Sequence, residues 1–291
     1  MIASPSPSIP PTTMTHHLTG IDHVVVLVHD LDRARDVYAR LGFTLTPRGH
    51  HTLGSQNHCI MFGRDYIELL AVPRPHPAMA DFTDFLSRGE GLAAISIASD
   101  DAAGAHAAFV SAGIDANAPL DFSRPVELAG TTHDARFRIV QLPAGQTPGS
   151  RSFVCQHFTP GLVWRPEYQV HAIGATGIAA VALAVPHPVL AARGYAQLFD
   201  ATPRAIDEGA LVETGSAPIV LATRSKIERR LPGVRLPVRA QPLVVALFIR
   251  VADRGRAGEA LRREEFAPVE LPDGSHAVGA DQAHGVALVF G

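Results

Sequence analysis

The feature that most constrains the fold is a strand–helix pattern that occurs four times along the chain. Near-continuous apolar segments begin at about Ile21, Leu92, Ile178 and Leu243, and a helix-like stretch follows each of them nine or ten positions later. Runs of branched apolar residues are typical of buried strands. Short segments with strand character and turns then follow each helix. The sequence therefore predicts an α+β architecture of four βαβββ units.

The first of these units shows the pattern most clearly. Its opening strand has the sequence GIDHVVVLVHD over residues 20–30. Strict alternation of side chains places His23 on the same face as Ile21, opposite a face that is wholly apolar. Asp30 is suited to cap the helix predicted over residues 31–41, which carries an apolar stripe. The unit is thus predicted to pack its apolar face under helices and to present one imidazole on the other face.

Length and composition indicate a globular protein. The 291 residues are 46% hydrophobic and 18% charged, which is enough for two domains with a substantial core. A net charge of −3 gives no reason to expect nucleic acid as a partner. No apolar run approaches the roughly 18 residues of a membrane span, and two cysteines fit a reducing compartment. A cytoplasmic location is therefore expected.

The chain is predicted to fold as two halves of two units each. Residues 1–17 are rich in Pro, Ser and Thr and are expected to form a disordered tail. An N-terminal half over 18–160 and a C-terminal half over 175–291 are separated by a linker at 161–174. Pro160, Gly161 and Pro166 preclude a long helix at this boundary. Alternatively, this segment packs across both halves, because it carries the only tryptophan, Trp164.

Several motifs resemble those of a known superfamily. The opening GIDHVVVLV, the closing YIELL of the first unit (66–70), GSQNH at 54–58 and CQHFTPGLVWRP at 155–166 carry the likeness. Together with the four units, they resemble the vicinal oxygen chelate superfamily of glyoxalase I, extradiol dioxygenases and bleomycin-resistance proteins, and most closely a glyoxalase-like domain family. The motifs cover about residues 18–166, and the second half resembles the fold only through its spacing. The resemblance implies that each half forms an open, barrel-like sheet.

The resemblance also implies a set of metal ligands. In that superfamily, ligands project from the first and last strands of each unit, which correspond here to His23 and Glu68 in the first unit. The second unit offers His157, or Gln156 if the register differs by one. Its first strand, at 92–97, has no ligand-type side chain where a histidine is expected, so a four-ligand glyoxalase I site is incomplete. The implied cofactor is a divalent Fe, Mn, Zn or Ni ion.

Two functions follow from this expectation. Two imidazoles and one carboxylate can bind one face of a divalent ion and leave the other positions open for a substrate with two oxygens, which the ion polarises as a Lewis acid. The first hypothesis is therefore a lyase, isomerase or ring-cleaving dioxygenase with His23 and Glu68 as catalytic residues. The alternative is a metal-free protein that binds a small hydrophobic compound in the same cavity. The second half is expected to serve structure or the formation of a homodimer.

Other residues are assigned to the pocket or excluded from it. The residues predicted to line the substrate pocket are Asn57, Tyr66, Gln156 and Trp164. His50, His51 and His58 lie in or near a glycine-containing loop and are expected to be solvated rather than metal-bound. Cys155 shares a strand face with His157, but two positions along one strand is a poor spacing for a nucleophile and its base. Cys155 is therefore expected to be a core residue.

Overall fold

The computed structural model describes residues 16–74, 76–128, 130–207 and 209–291. The predicted tail thus lies outside the described residues, except for its last two positions. Among the helices of the described ranges, none is long and apolar enough to cross a membrane.

The N-terminal half consists of two units joined by a helix. The first unit contains β1 (Leu18–Leu27), α1 (Leu31–Arg40), β2 (Gly49–His50), β3 (Gln56–Met61) and β4 (Tyr66–Ala71). A short 3-10 turn (Pro77–Met79) and helix α2 (Ala80–Ser87) follow. The second unit contains β5 (Gly91–Ser99), α3 (Ala102–Ser111), β6 (Leu120–Leu128), β7 (Thr131–Gln141) and β8 (Arg151–His157).

The C-terminal half repeats this order. Its first unit contains β9 (Ala175–Ala184), α4 (Pro188–Leu198), β10 (Arg204–Ile206), β11 (Gly209–Val212) and β12 (Ile219–Ala222). Helix α5 (Arg224–Arg230) leads to the last unit, which contains β13 (Leu243–Val251), α6 (Arg254–Arg263), β14 (Val269–Glu270), β15 (His276–Val278) and β16 (Ala287–Phe290). The predicted sequence of four βαβββ units is confirmed.

Each half forms one eight-stranded sheet with the same topology. The strand orders are β2-β3-β4-β1-β5-β8-β7-β6 and β10-β11-β12-β9-β13-β16-β15-β14. In both sheets the first strands of the two units pair antiparallel at the centre, β1 with β5 and β9 with β13. The edge strands β2 and β6 of the first sheet contact each other, so this sheet is nearly closed into a barrel.

Aspartates begin three of the unit helices. The side chains of Asp30, Asp101 and Asp253 each accept a hydrogen bond from the backbone N–H three residues later, at distances of 3.0 Å. This satisfies a donor that the first turn of a helix leaves free. The cap predicted at Asp30 is therefore present.

The helix-bearing faces of the two sheets share one hydrophobic core. Tyr38 of α1, Phe109 of α3, Tyr195 of α4 and Leu261 of α6 are all fully buried in the same cluster. The Tyr38 hydroxyl donates to the carbonyl of Ala283 in the other half at 3.2 Å. The two halves are thus packed together through their helices, which leaves the opposite face of each sheet for other uses.

Those opposite faces differ. In the second sheet, α5 and the residues after it cover this face, where Ile227, Leu231 and Leu236 pack with Val245 in an apolar cluster. In the first sheet, α2 covers only one end, where Leu86 packs with residues of β1 and β4. The rest of that face lines a cavity inside the nearly closed barrel.

The segment predicted as a linker, 161–174, is packed rather than free. His171 Nε2 is hydrogen-bonded to the carbonyl of Met61 at 2.9 Å, and Trp164 contacts the ring of His157. At its end, the carbonyl of Gly174 accepts a hydrogen bond from the N–H of Ala252 in the second half. The alternative interpretation, a segment packed across both halves, agrees with these contacts.

Candidate functional site

A β-bulge in β1 turns two neighbouring side chains toward the same region. The pairing of β1 with β5 shifts between Ile21 and His23, so that Asp22 is the extra residue. Ile21 packs in the helix-side core with Val24, whereas His23 lines the cavity. The prediction that Ile21 and His23 share a face is wrong, because strict alternation fails at the bulge.

The bulge creates a hydrogen bond between adjacent residues. Asp22 Oδ2 lies 2.6 Å from His23 Nδ1, and both side chains are buried. Since an ionised carboxylate can only accept, the proton is on Nδ1 of His23. The lone pair of His23 is then on Nε2, which faces the cavity. A carboxylate that holds the distal nitrogen of an imidazole is the usual support of a metal-ligating histidine.

Glu68 lies next to this lone pair. On β4, which is parallel to β1, Glu68 is opposite Val25 and faces the cavity. Its Oε2 is 3.6 Å from His23 Nε2, and the residue is only 7% exposed. Its Oε1 accepts a hydrogen bond from Asn57 Nδ2 at 2.5 Å. A buried carboxylate facing an imidazole lone pair is an electron-rich pair that requires a cation or a proton between its atoms.

Asp22 is shared between two histidines. His157 Nε2 donates to the same oxygen, Oδ2, at 3.1 Å. Burial opposes ionisation of Asp22, but the charge of His157 and hydrogen bonds from His157 and His23 lower its pKa to about 2. Asp22 is therefore an anion throughout the physiological range and couples the two imidazoles.

His51 brings a third donor to the cavity. Its Nε2 is 3.8 Å from Glu68 Oε1, and its side chain is 12% exposed. Asn57 Nδ2 lies 3.3 Å from Nε2, and Ser55 Oγ lies 2.8 Å from Nδ1, so the proton is on Nδ1 and the lone pair on Nε2. Burial lowers the pKa of His51, which keeps the ring neutral at neutral pH. The prediction that His51 is solvated is wrong.

A tight turn explains why this loop histidine points inward. The N–H of His51 donates to the carbonyl of Ser55, and the N–H of Gly54 donates to the carbonyl of His51. Gly54 has φ +89°, a conformation that favours glycine. The neighbouring His50 is exposed as expected. The prediction that His58 is solvated is wrong as well, because its ring is buried and hydrogen-bonded to the carbonyl of Thr46.

Aromatic and aliphatic side chains form most of the cavity wall. The space in which the centre of a water molecule can lie is about 110 Å³, enough for several waters or a small organic molecule. Its polar lining comprises His23, His51, Ser55, Asn57, Glu68, Arg124, Gln141 and Arg151. Its apolar lining includes Leu53, Leu70, Phe82, Phe122, Phe137 and Phe153.

The structure places the other predicted pocket residues in different positions. Asn57 and Tyr66 line the cavity. Gln156 is on the opposite face of β8, where it accepts from the N–H of Ala102 at 3.0 Å and donates to the carbonyl of Asp100 at 2.7 Å. Its assignment to the pocket is therefore wrong, because Cys155 takes the inward position of this strand.

His157 and Trp164 lie behind the cavity rather than in its wall. The two rings are 4.6 Å apart, and Trp164 also contacts the edge of Tyr66, whose ring stacks on His23 at 4.4 Å. His157 thus supports Asp22, whereas the second imidazole beside Glu68, after that of His23, is that of His51. Trp164 packs against His157 and Tyr66, on the side of these rings away from the cavity.

The two cysteines are thiols in this environment. Burial raises the pKa of Cys59 to about 12 and that of Cys155 well above its usual value. A neutral thiol is a poor nucleophile, so neither residue is suited to covalent catalysis. Cys155 Sγ nevertheless lies with donor atoms of Asp22 and His157 in a group whose members are all within 4.8 Å of one another, which is compatible with cation binding.

Three side chains place donor atoms at the cavity, since Nε2 of His23 and Nε2 of His51 lie 3.6 and 3.8 Å from the two oxygens of Glu68. His23 Nε2 and the Glu68 carboxylate come from the expected strands. In both histidines the other ring nitrogen, Nδ1, is hydrogen-bonded, in His23 to Asp22 and in His51 to Ser55. The second unit adds no donor at the corresponding positions, since Ala94 faces Val25 and Phe153 lines the wall. The third donor of the set comes from the loop of the first unit. Two histidines and one carboxylate form a recognised ligand set for a divalent ion with open positions.

Comparison with known proteins agrees with this fold. A family model described as a glyoxalase-like domain matches residues 21–199. No curated protein sequence matches the chain. Among solved structures, the chain is similar to a hypothetical protein from Staphylococcus aureus, with 13% identity and a TM-score of 0.66 over 93% of this chain and 98% of that chain.

Two further structures belong to named enzymes. A mutant of 4-hydroxymandelate synthase from Streptomyces coelicolor has 15% identity and a TM-score of 0.58 over 94% of this chain and 92% of its own. An Mn(II)-bound glyoxalase from Novosphingobium aromaticivorans has 12% identity and a TM-score of 0.55 over 94% of this chain and 82% of its own. At these identities the likeness shows the fold alone.

Proposed function

We propose, from the premise that this chain belongs to the glyoxalase-like domain family, that its N-terminal cavity is the site of a metal-dependent enzyme acting on a small oxygenated organic molecule. The observation that carries the proposal is the pair formed by His23 Nε2 and the Glu68 carboxylate. These atoms are 3.6 Å apart, buried, and both electron-rich. Such a pair is stabilised by a shared cation.

Three side chains would hold the ion. His23 and Glu68 are its ligands from the strands, and His51 is the third, from the loop before β3. When bound, a divalent ion supplies a Lewis acid that polarises the oxygens of the substrate. The role predicted for His157 is thereby changed from ligand to support of the Asp22 carboxylate.

The remaining residues prepare these ligands. Asp22 keeps the proton of His23 on Nδ1 and fixes the ring, while Tyr66 stacks on the other side of it. Asn57 donates to Glu68 and to His51 at once, which holds both groups in place. The apolar part of the wall lowers the effective dielectric constant around these groups, and this strengthens the electrostatic interactions among them.

A second candidate is a metal-free binding protein. The observation in its favour is that the first strand of the second unit, where a histidine is expected, has Ala94 opposite Val25, and that the cavity wall is predominantly apolar. In that case, a proton shared by His23 and Glu68 would satisfy the pair, and the cavity would hold a small hydrophobic compound without transforming it.

Metal binding distinguishes the two candidates. We expect the purified protein to bind Mn(II), Zn(II) or Fe(II), as measured by calorimetry and by the rise in melting temperature. Glu68→Gln, which keeps the shape and removes the charge, should weaken binding by more than about 100-fold. His23→Ala and His51→Ala should do the same, and their matched controls are the exposed Glu127→Gln and His50→Ala. A wild-type protein that binds none of these ions would leave the binding protein as the function.

A further inference from the structure

Arg124 is a cation in the cavity wall without an anionic partner among the residues that the structure describes. It lies in the middle of β6, is half-buried and lines the same cavity as Glu68 and His51. Within the described ranges, its guanidinium makes no hydrogen bond or ion pair. Arg151, the other arginine of the wall, is instead paired with Asp81 of α2. The cavity thus holds one positive charge that is already neutralised and one that is not.

Gly49 provides the space that Arg124 occupies next to the proposed metal ligands. A Cβ atom on Gly49 would lie 3.5 Å from Arg124 Nη1 and would collide with Asn57 Oδ1. The absence of this side chain lets the guanidinium and the Asn57 amide approach the same point of β2. Asn57 also donates to Glu68, so the Asn57 side chain lies between the Arg124 guanidinium and the Glu68 carboxylate.

Arg124 shares the cavity wall with apolar side chains as well as with Glu68 and His51. Phe122, two residues before it, stacks on Phe137 with ring centroids 5.0 Å apart, and Phe153 and Leu53 line the same space. An unpaired cation is costly in such surroundings, so a ligand that brings an anion gains more here than in water. A guanidinium presents two parallel N–H groups that match the two oxygens of a carboxylate.

We propose that Arg124 binds the carboxylate of the ligand, and that the substrate class of this cavity is a small carboxylic acid with an apolar body about the size of one ring. The proposal rests on the proposed function for the choice of the cavity. It deepens that function by naming a second recognition point, separate from His23, His51 and Glu68. The phenylalanines contact the body of the ligand, and Arg124 fixes its orientation.

Phenylacetate and phenylacetamide are a matched pair of probes, since they share shape and differ in charge. By calorimetry, the wild-type protein should bind phenylacetate at least about tenfold more tightly than phenylacetamide. Arg124→Gln should abolish this preference, and Arg124→Lys should keep part of it. The control is Arg136→Gln, because Arg136 is an exposed arginine on the neighbouring strand β7 and does not line the cavity. Circular dichroism establishes that each variant is folded.

Each outcome decides the proposal. Equal binding of the two probes, binding of neither, or a preference that survives in Arg124→Gln would overturn it. Glu68→Gln separates it from the proposed function, because this variant should lose the metal and still prefer phenylacetate. A wild-type protein that binds no metal but prefers phenylacetate through Arg124 would refute the metal-dependent enzyme and retain the carboxylate subsite.

Discussion

The substitution Asp22→Asn tests the arrangement on which the site depends. An amide in place of the carboxylate offers an N–H to His23 Nδ1 or removes the charge that holds the proton there. The tautomer of His23 is then free to change, which places the proton on Nε2, toward Glu68. A protonated Nε2 cannot be a metal ligand.

The structure gives the size of this effect on stability. The fall of the Asp22 pKa from 3.8 to about 2 corresponds to about 2 kcal/mol in favour of the folded state. Because the pKa is lowered on folding, this stabilisation is present above pH 3.8 and is lost as the pH falls toward 2. At pH 7 we therefore expect Asp22→Asn to lower the free energy of unfolding by about 2 kcal/mol.

Asp22→Asn should also weaken metal binding. Loss of a carboxylate that supports a ligating histidine typically costs about 10- to 100-fold in metal affinity. Calorimetric titration with Mn(II) or Zn(II) measures this change, and urea unfolding at pH 7 and pH 3 measures the stability. Asp134→Asn on β7 is the control, because Asp134 is exposed. Unchanged metal affinity in a folded Asp22→Asn variant would refute the role given to Asp22.

Two further predictions concern the rest of the molecule. Burial raises the pKa of Asp65 to about 6, although the hydrogen bond from the N–H of Ile178 and the charge of Arg250 act in the opposite direction. The ionised carboxylate therefore destabilises the folded state above pH 6, whereas below pH 3.8 the group is neutral in both states and has no such effect. Asp65→Asn should therefore raise the free energy of unfolding by up to about 3 kcal/mol at pH 8 and hardly at all at pH 4, as measured by urea unfolding. Ile227→Ala should cost about 2–4 kcal/mol in the same assay, because it opens a cavity under α5, and it should leave metal binding unchanged.

The unit structure could be predicted from sequence because it depends on local patterns. Branched apolar runs, helix stripes and capping aspartates such as Asp30 are signals contained in short stretches of sequence. His23 and Glu68 were found in this way, together with the superfamily resemblance, and the structure places them 3.6 Å apart. The role of either residue in binding a metal is a prediction that the experiments above test.

Other parts of the site depend on contacts between distant segments. The bulge at Asp22 is a property of the pairing between β1 and β5, and an alternation rule for one strand cannot include it. His51 is buried only because its turn folds against the wall, where Phe122 of β6 lies near its ring. Arg124 has no local signal at all, since it reaches the cavity only when β6 approaches β2 and closes the sheet.

The difference between the two halves follows from how each covers the inner face of its sheet. In the second half, α5 and the residues after it bring Ile227, Leu231 and Leu236 onto that face, and the close packing of apolar groups leaves no place for a buried charge. In the first half, α2 covers only one end, and the remaining surface includes the Glu68 carboxylate, which a buried site tolerates only with partners. Asn57, His23 and His51 supply those partners. The same sheet topology thus gives a packed core in one half and a cavity that contains a buried carboxylate in the other, and the segment after the fourth strand decides which.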